Sequence, residues 1–482
     1  MADATLQYHP RIADRRRVAP PGLIPVSVII FLVGGIGPNI GLALLSALVL
    51  IIGGSLVWRP GEAPVLLLAF GLAWLGASTA VFHANWLGIN VADYTGFPSD
   101  MQTSIVLTLT GLLALAAGMR LGAGRPQLET VAQARTFALS YPMWLWFRLY
   151  VAASVAAYLA LGMIWIVPGL AQIILGFVTL KWAFFYMLAY AALLRPNGGG
   201  PYFAIAFAAE LLLGIGGYFS DFKTVFLVAL LALVAAGIRV SLRTMILLGL
   251  FVTVLVGLNI VWTAVKGPYR DFVSMGKTTQ IVSVDYSTRM NKLIELVGAL
   301  DESALSNAAD TMLHRLSYVE YFGAVLNYVP AVEPHANGEI LLDALTRPLM
   351  PRILFPEKSA IDDTERTNQY TGNLIVKSDL TSISLGYVAE SYIDFGAWGM
   401  LPMLSLIGYF YGQIYRQFLR LRRIDSLLGM AIAVATLLQV ALIENSFTKV
   451  FGGVVATLLA AALLVLFIIP RWAPWLARVA AK

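Results

Sequence analysis

A succession of long apolar runs constrains this chain more than any other feature. They lie at 23–37, 39–57, 64–84, 104–121, 145–166, 169–194, 202–219, 223–238, 243–264, 396–415, 427–444 and 450–469. A helix crosses the roughly 30 Å hydrocarbon core of a bilayer with about 20 apolar residues. Twelve such runs in 482 residues predict an all-α, polytopic integral membrane protein with about 12 transmembrane helices. Outer-membrane barrels show short alternating segments, and these runs are continuous. The first pair is divided only by Gly37-Pro38, a helix-breaking dipeptide. Composition agrees, with 59% hydrophobic and 12% charged residues. Soluble domains are about half apolar and about a quarter charged, so a soluble enzyme is excluded, as is a disordered chain. The absence of cysteine excludes a disulfide scaffold.

Basic residues orient the spans. With the N-terminus cytoplasmic, inside segments hold 18 of the 33 lysines and arginines, among them Arg15-Arg16-Arg17, Arg59, Arg120, Arg125, Arg195, Arg416, Arg420, Arg422 and Arg423. The short outside loops carry Lys449, with Lys223 at a helix edge. The positive-inside rule then predicts both termini in the cytoplasm and an even number of spans. The first apolar run begins only at Leu23, behind the arginine triplet, which reads as a cytoplasmic anchor rather than a cleavable signal. The net charge of +6 fits basic cytoplasmic loops, not nucleic-acid binding.

Residues 265–395 break the rhythm, 131 residues without a span and with a net charge of −6. This divides the chain into a transmembrane region over 1–264, a cap loop over 265–395 on the outside, and a second transmembrane region over 396–482. A structureless loop of that length is implausible, so the cap is expected to fold. Met312, Leu316, Val319, Gly323 and Leu326 follow helical spacing and predict an amphipathic helix on the membrane surface or over a cavity. Residues 330–382, rich in Pro, Gly, Asn, Asp and Thr, read as ordered loop. The two halves show no internal repeat, which counts against a secondary transporter.

Charges at membrane depth carry the next information. Lys181 and Glu210 lie near the middle of their runs and Arg148 nearer the cytoplasmic end of its own. Such groups mark a cavity, a relay or a mutual pair. A Lys181–Glu210 pair with Arg148 snorkelling to the interface is the simplest account. At the outer ends, Ser220-Asp221-Phe222-Lys223, Lys266-Gly267-Pro268-Tyr269-Arg270, Glu444 and Lys449 gather charge at headgroup level. Arginine offers a planar fork for phosphate and lysine a point charge, so these cations suggest a phosphate-bearing lipid. The cap adds Arg289, Arg315, Arg347, Arg352, Lys358 and Arg366, and prolines 348, 351 and 356 stiffen the backbone beneath several of them. Interleaved tyrosines, including Tyr269 and Tyr392, suit sugar rings, though Tyr is also a membrane-interface residue. No HExxH, GxSxG or P-loop occurs, and His9, His83, His314 and His335 are scattered, so a metal site built on His or Cys is improbable. No cofactor is expected.

Along residues 210–410 the chain resembles the bacterial Wzy-type polymerases of oligosaccharide repeat units. The resemblance rests on Gly216-Gly217-Tyr218-Phe219-Ser220-Asp221-Phe222-Lys223, Lys266 to Arg270, and Arg315-Leu316-Ser317. It continues through Asn337-Gly338-Glu339, Pro351-Arg352, Phe355-Pro356-Glu357-Lys358 and Gly386-Tyr387-Val388-Ala389-Glu390-Ser391-Tyr392-Ile393-Asp394-Phe395-Gly396. Glu357 stands where an aspartate is expected before the lysine. The resemblance implies an inner-membrane glycosyltransferase with a periplasmic loop. It would pass a glycan from undecaprenyl diphosphate to a new lipid-linked repeat unit without metal, giving O-antigen or exopolysaccharide.

That chemistry needs charge stabilisation at the leaving diphosphate and a base for the attacking hydroxyl. Arg270, Arg315, Arg347, Arg352, Lys358 and Lys223 are assigned to the diphosphates. Asp221, Lys266, Arg366, Tyr269 and Tyr392 complete the substrate set. Glu390 is the first choice of base, with a cap-anchoring ion pair as its alternative, and His335 the second. Expected partners are the lipid-linked oligosaccharide, membrane lipids and a chain-length regulator protein. An O-antigen ligase is the nearest rival reading. A lipid-linked oligosaccharide flippase or other transporter is a more distant one, and would put Lys181, Glu210 and Arg148 along a cavity.

Overall fold

A computed structural model describes residues 19–20, 22–164, 166–195, 197–215, 217, 222–237, 242–275, 284–350, 354–355, 357–358, 362–375, 383–421, 423–441 and 444–471. These residues form helices and connecting turns, with no strand among them. The first half holds α1 (Leu23–Ile30), α2 (Ile40–Val57), α3 (Val65–Leu87), α4 (Met101–Ala123), α5 (Leu128–Ser140), α6 (Met143–Met163), α7 (Ala171–Thr179), α8 (Lys181–Leu193), α9 (Gly200–Ile215), α10 (Phe222–Ala235) and α11 (Leu242–Ser274). Five shorter helices follow: α12 (Tyr286–Gly298), α13 (Glu302–Leu316), α14 (Val319–Tyr328), α15 (Glu339–Thr346) and α16 (Asp363–Thr371). The chain closes with α17 (Tyr387–Arg420), α18 (Ser426–Leu437) and α19 (Phe447–Leu463).

Eight helical stretches are long and apolar enough to cross a membrane, so the protein is a multi-pass helical membrane protein. The other four apolar runs form shorter helices, Leu23–Gly35, Gly200–Ile215, Phe222–Ala235 and Ser426–Ala441. At 1.5 Å per residue a 16-residue helix reaches about 24 Å, short of a full crossing.

The bundle is organised around α4 and α17, which lie nearly 300 residues apart in sequence and pack backbone against backbone. Gly118 and Gly122 on α4 face Gly408 and Gly412 on α17, each pair spaced four residues apart. A Cβ on Gly118 would stand 1.9 Å from the Ser405 carbonyl oxygen, and one on Gly408 2.1 Å from that of Leu115. Small residues at this spacing let membrane helices approach until dispersion between their backbones holds them. Helix α18 runs through the interior, with every residue from Gly429 to Leu437 buried, as an all-apolar helix requires. Helix α11 lies at the other extreme, with 6% of its apolar window buried, so its flank faces lipid.

Four local expectations differ from the structure. Helix α11 continues ten residues past 264 to Ser274, carrying Pro268 inside it. Proline forfeits one backbone hydrogen bond, and the turns on either side keep theirs. Helix α17 begins at Tyr387 rather than at 396, and turns at Gly396, whose φ of 68° only glycine adopts readily. The amphipathic stretch around 312–326 is two helices, because Ser317 ends α13 by donating its N–H to the carbonyls of Leu313 and His314. Helix α14 then docks on the start of α4: the Asp100 N–H donates to the Gly323 carbonyl at 3.0 Å and the Ser99 hydroxyl to that of Glu320 at 3.0 Å. Within 330–382, read as loop, α15 and α16 are regular helices.

Candidate functional site

Helix geometry gathers four cations. Lys266 and Arg270 stand four residues apart on α11 and therefore share a face. Lys223 is in the first turn of α10, and Arg315 in the last turn of α13, which packs along α11. The charges of Arg315, Arg270 and Lys223 all act on Lys266, and Arg315 acts on Lys223 as well. Lys223 and Arg315 are exposed, while Lys266 and Arg270 are half-buried. Among the described residues, the carboxylate of Glu444 lies in reach of Lys223 and Arg315. Among the described residues, no carboxylate forms an ion pair with Lys223, Lys266 or Arg315. Like charges held together repel, so the folded chain spends stability on this arrangement, and a polyvalent anion would relieve it.

A second network, made of paired charges, lies across the turn that carries Glu444. Glu390, at the start of α17, is 1% exposed. Its Oε1 accepts from Arg366 Nη1 at 3.1 Å and its Oε2 from the Phe447 N–H at 2.6 Å. That N–H belongs to the free first turn of α19, where a carboxylate is favoured. Arg366 also donates to Asp343 on α15 at 3.2 Å, and Asp343 accepts from Arg347 at 3.2 Å. Lys449 on α19 pairs with the buried Asp363 at 2.7 Å. Asp362 caps α16 by accepting from the N–H groups of Thr364 and Glu365, which fixes Arg366 one turn on. The network ties α15 and α16 to α17 and α19.

A third group joins two of the four histidines. His314 Nδ1 lies 3.0 Å from Glu320 Oε1, and His83 Nδ1 lies 2.8 Å from the Tyr94 hydroxyl. Tyr94 stacks on the His314 ring at 4.8 Å, and the two imidazoles are 6.0 Å apart. Burial pushes the Tyr94 hydroxyl up to about 12, so it stays protonated. Burial also raises the Glu320 carboxyl above the ordinary carboxylate range, with His314 pulling it back. His314 is exposed and directly precedes Arg315 of the cation cluster. A carboxylate held on Nδ1 leaves Nε2 open for a proton. No sequence motif announces this group, because His83 and His314 are 231 positions apart.

The remaining sequence-derived residues fall elsewhere. Asp221, Arg352 and Arg15–Arg17 lie outside the described residues. Tyr269 is fully buried against Trp262. Tyr392 is 8% exposed, and its hydroxyl donates to the Val329 carbonyl at 3.1 Å. His335 packs on Tyr392, with Nδ1 at 3.2 Å from the Ile393 carbonyl. Lys358 donates to the carbonyls of Arg347 and Met350, at 2.5 and 2.9 Å, closing the turn that ends α15. Among the described residues no group of three His, Asp or Glu side chains is placed to hold a metal ion.

At membrane depth, Lys181 and Glu210 pair at 2.7 Å, and the Tyr150 hydroxyl donates to Glu210 at 3.0 Å. Arg148 is exposed, with its guanidinium 4.7 Å from the Trp144 ring centre.

No curated protein and no solved structure matches the chain. A family model, the domain of unknown function DUF8712, matches residues 107–472 and so takes in the cation cluster, the Arg366–Glu390 network and the α4–α17 crossing. The chain belongs to the DUF8712 family.

Proposed function

We propose that this protein polymerises undecaprenyl-diphosphate-linked oligosaccharide repeat units, with the four-cation cluster as its diphosphate site. In this reading the chain crosses a bacterial inner membrane twelve times, the four shorter apolar helices crossing where the bilayer thins around them. Both termini are cytoplasmic, and residues 265–395 cover the periplasmic face. One observation carries the proposal. Three segments that give the resemblance to Wzy-type polymerases, 216–223, 266–270 and 315–317, each contribute a cation to one cluster that holds an excess of positive charge.

In the proposed reaction an acceptor hydroxyl attacks the anomeric carbon of the donor glycan. The C–O bond to the diphosphate breaks, and undecaprenyl diphosphate leaves with the bonding pair. Lys223, Lys266, Arg270 and Arg315 neutralise the charge that develops on it. The hydroxyl proton goes to His314 Nε2, and Glu320 holds the ring from the other side. Glu390, engaged on both oxygens, takes the anchoring role.

The test is reconstitution of the purified protein with intact lipid-linked repeat units, no nucleotide sugar, and EDTA. The expected product is a ladder of glycan lengths, lost in Lys266→Ala and Arg315→Ala. No ladder from the cognate repeat unit would overturn the reading. Transfer to lipid A core in its place would favour a ligase, and transbilayer movement without transfer a flippase.

A further inference from the structure

A cavity of about 540 Å³ lies between α6, α7, α8, α18 and the end of α19, and its lining includes none of the four clustered cations. One wall is a continuous face of small residues on α6: Ala152, Ala153, Ala156, Ala157 and Ala160. From Leu145 to Ala160 the cavity follows α6 for about 22 Å at 1.5 Å per residue, most of the roughly 30 Å core of a bilayer. It is therefore a slot running with the membrane-crossing helices. Water is a poor occupant. The volume would take about 18 molecules at about 30 Å³ each, and each needs two to four polar partners. Among the described residues of the lining, the ionisable groups are Lys181, Arg423, Asp425 and Tyr141. The first is already bound to Glu210 at 2.7 Å.

The two ends of the slot differ. At one end lie Arg423, Asp425, Tyr141 and Trp146. Tyr and Trp are residues of the membrane–water interface, and they set this mouth at headgroup level. Arg423 is exposed, and among the described residues no carboxylate pairs with it. Arg416 and Arg420, on the last turns of α17, add further positive charge at this end of the bundle. Among the described residues, Asp425 is the one carboxylate of the lining.

We propose that this slot is a binding site for one anionic membrane lipid. Its acyl chain lies along the alanine face of α6, and its phosphate sits on Arg423. Burial of each methylene of the chain supplies affinity without sequence specificity, and the guanidinium selects the headgroup. The site is independent of the diphosphate cluster, so it stands or falls apart from the proposed glycosyl transfer.

The experiment uses the full chain, delipidated in mild detergent and offered equimolar phosphatidylglycerol and phosphatidylcholine in mixed micelles. Bound lipid is counted by native mass spectrometry. One phosphatidylglycerol per chain should be retained, in preference to phosphatidylcholine. Arg423→Gln should reduce that preference about fivefold, the effect of one basic residue near a headgroup. Ala156→Phe fills the slot and should abolish retention of both lipids. Should that variant fail to fold, phosphatidylglycerol carrying a photoactivatable group on its chain should label α6 and α8 in the wild-type protein. Equal retention of the two lipids by wild type and Arg423→Gln would overturn the proposal. So would labelling of the lipid-exposed flank of α11 in place of the slot.

Discussion

The α4–α17 crossing makes the most quantitative prediction. A Cβ at Gly118 would lie 1.9 Å from the Ser405 carbonyl oxygen, whereas ordinary contact begins near 3.4 Å. The obstruction is backbone on both sides and no rotamer change removes it, so Gly118→Ala must move the helices about 1.5 Å apart. Overpacking of this kind costs about 1–3 kcal/mol, and alanine's better helix propensity returns about 1 kcal/mol. The net expectation is a loss of up to about 2 kcal/mol, with a similar loss for Gly408→Ala, whose Cβ would meet the Leu115 carbonyl at 2.1 Å. The two should combine less than additively, since helices parted by one substitution already make room for the other. Gly249 and Gly257 on α11 provide the internal control, with nothing within 4 Å of a Cβ at either. Alanine there should be neutral or stabilising by up to about 1 kcal/mol. Unfolding midpoints of the four single variants and the Gly118/Gly408 double variant in one detergent, followed by tryptophan fluorescence, provide the comparison. If Gly118→Ala is as stable as Gly249→Ala, the crossing is not the close contact described and the reasoning fails.

Removing a cation from the cluster should separate function from stability. Lys266→Ala or Arg315→Ala should weaken pyrophosphate binding about tenfold or more by calorimetry, since a hydrogen bond to a charged group is worth about 1.5–3 kcal/mol. The same variants should be no less stable than wild type without ligand, because a like-charge repulsion is relieved. The Arg366–Glu390 network should behave oppositely. Glu390→Gln presents an amide NH₂ to one of two donors, Arg366 or the Phe447 N–H, and should cost about 3 kcal/mol in denaturant unfolding. Arg366→Met in that background should add little, and additive losses would show that the two side chains are not coupled. Glu320 sets a pH dependence. Its carboxyl titrates above the ordinary range, so its contribution is fully present below the unfolded pKa and is lost as pH rises through the folded value. Glu320→Gln should therefore gain stability over wild type as pH increases across that window, and a parallel pH profile for the two proteins would refute the assignment.

What could be read from the sequence is what the bilayer dictates locally. Among the described residues each apolar run forms a helix, because a segment buried in hydrocarbon must satisfy its backbone internally. Whether a run is long enough to cross is a matter of its own residues. Boundaries were less legible where polar side chains ride on unbroken helix, as Lys266, Arg270 and Asp271 do at the end of α11. Hydropathy sees side chains and does not see that the backbone ladder continues beneath them. The Lys181–Glu210 pair was accessible for a related reason, since two opposite charges at membrane depth have few ways to lower their desolvation cost except each other.

Partner choice among the many charges outside the spans was decided by tertiary structure alone. Nothing local distinguishes Arg366, bound to Glu390 and Asp343, from Arg315, held among cations. Nor does any spacing bring His83 to His314, or announce that Gly118 and Gly408 will meet. The difference is physical. A span is specified by residues within a few turns of one another, whereas a site is specified by which helix faces turn toward each other across hundreds of residues. That choice is made by packing, through glycines that let backbones touch, and its outcome is written in the fold of the whole chain.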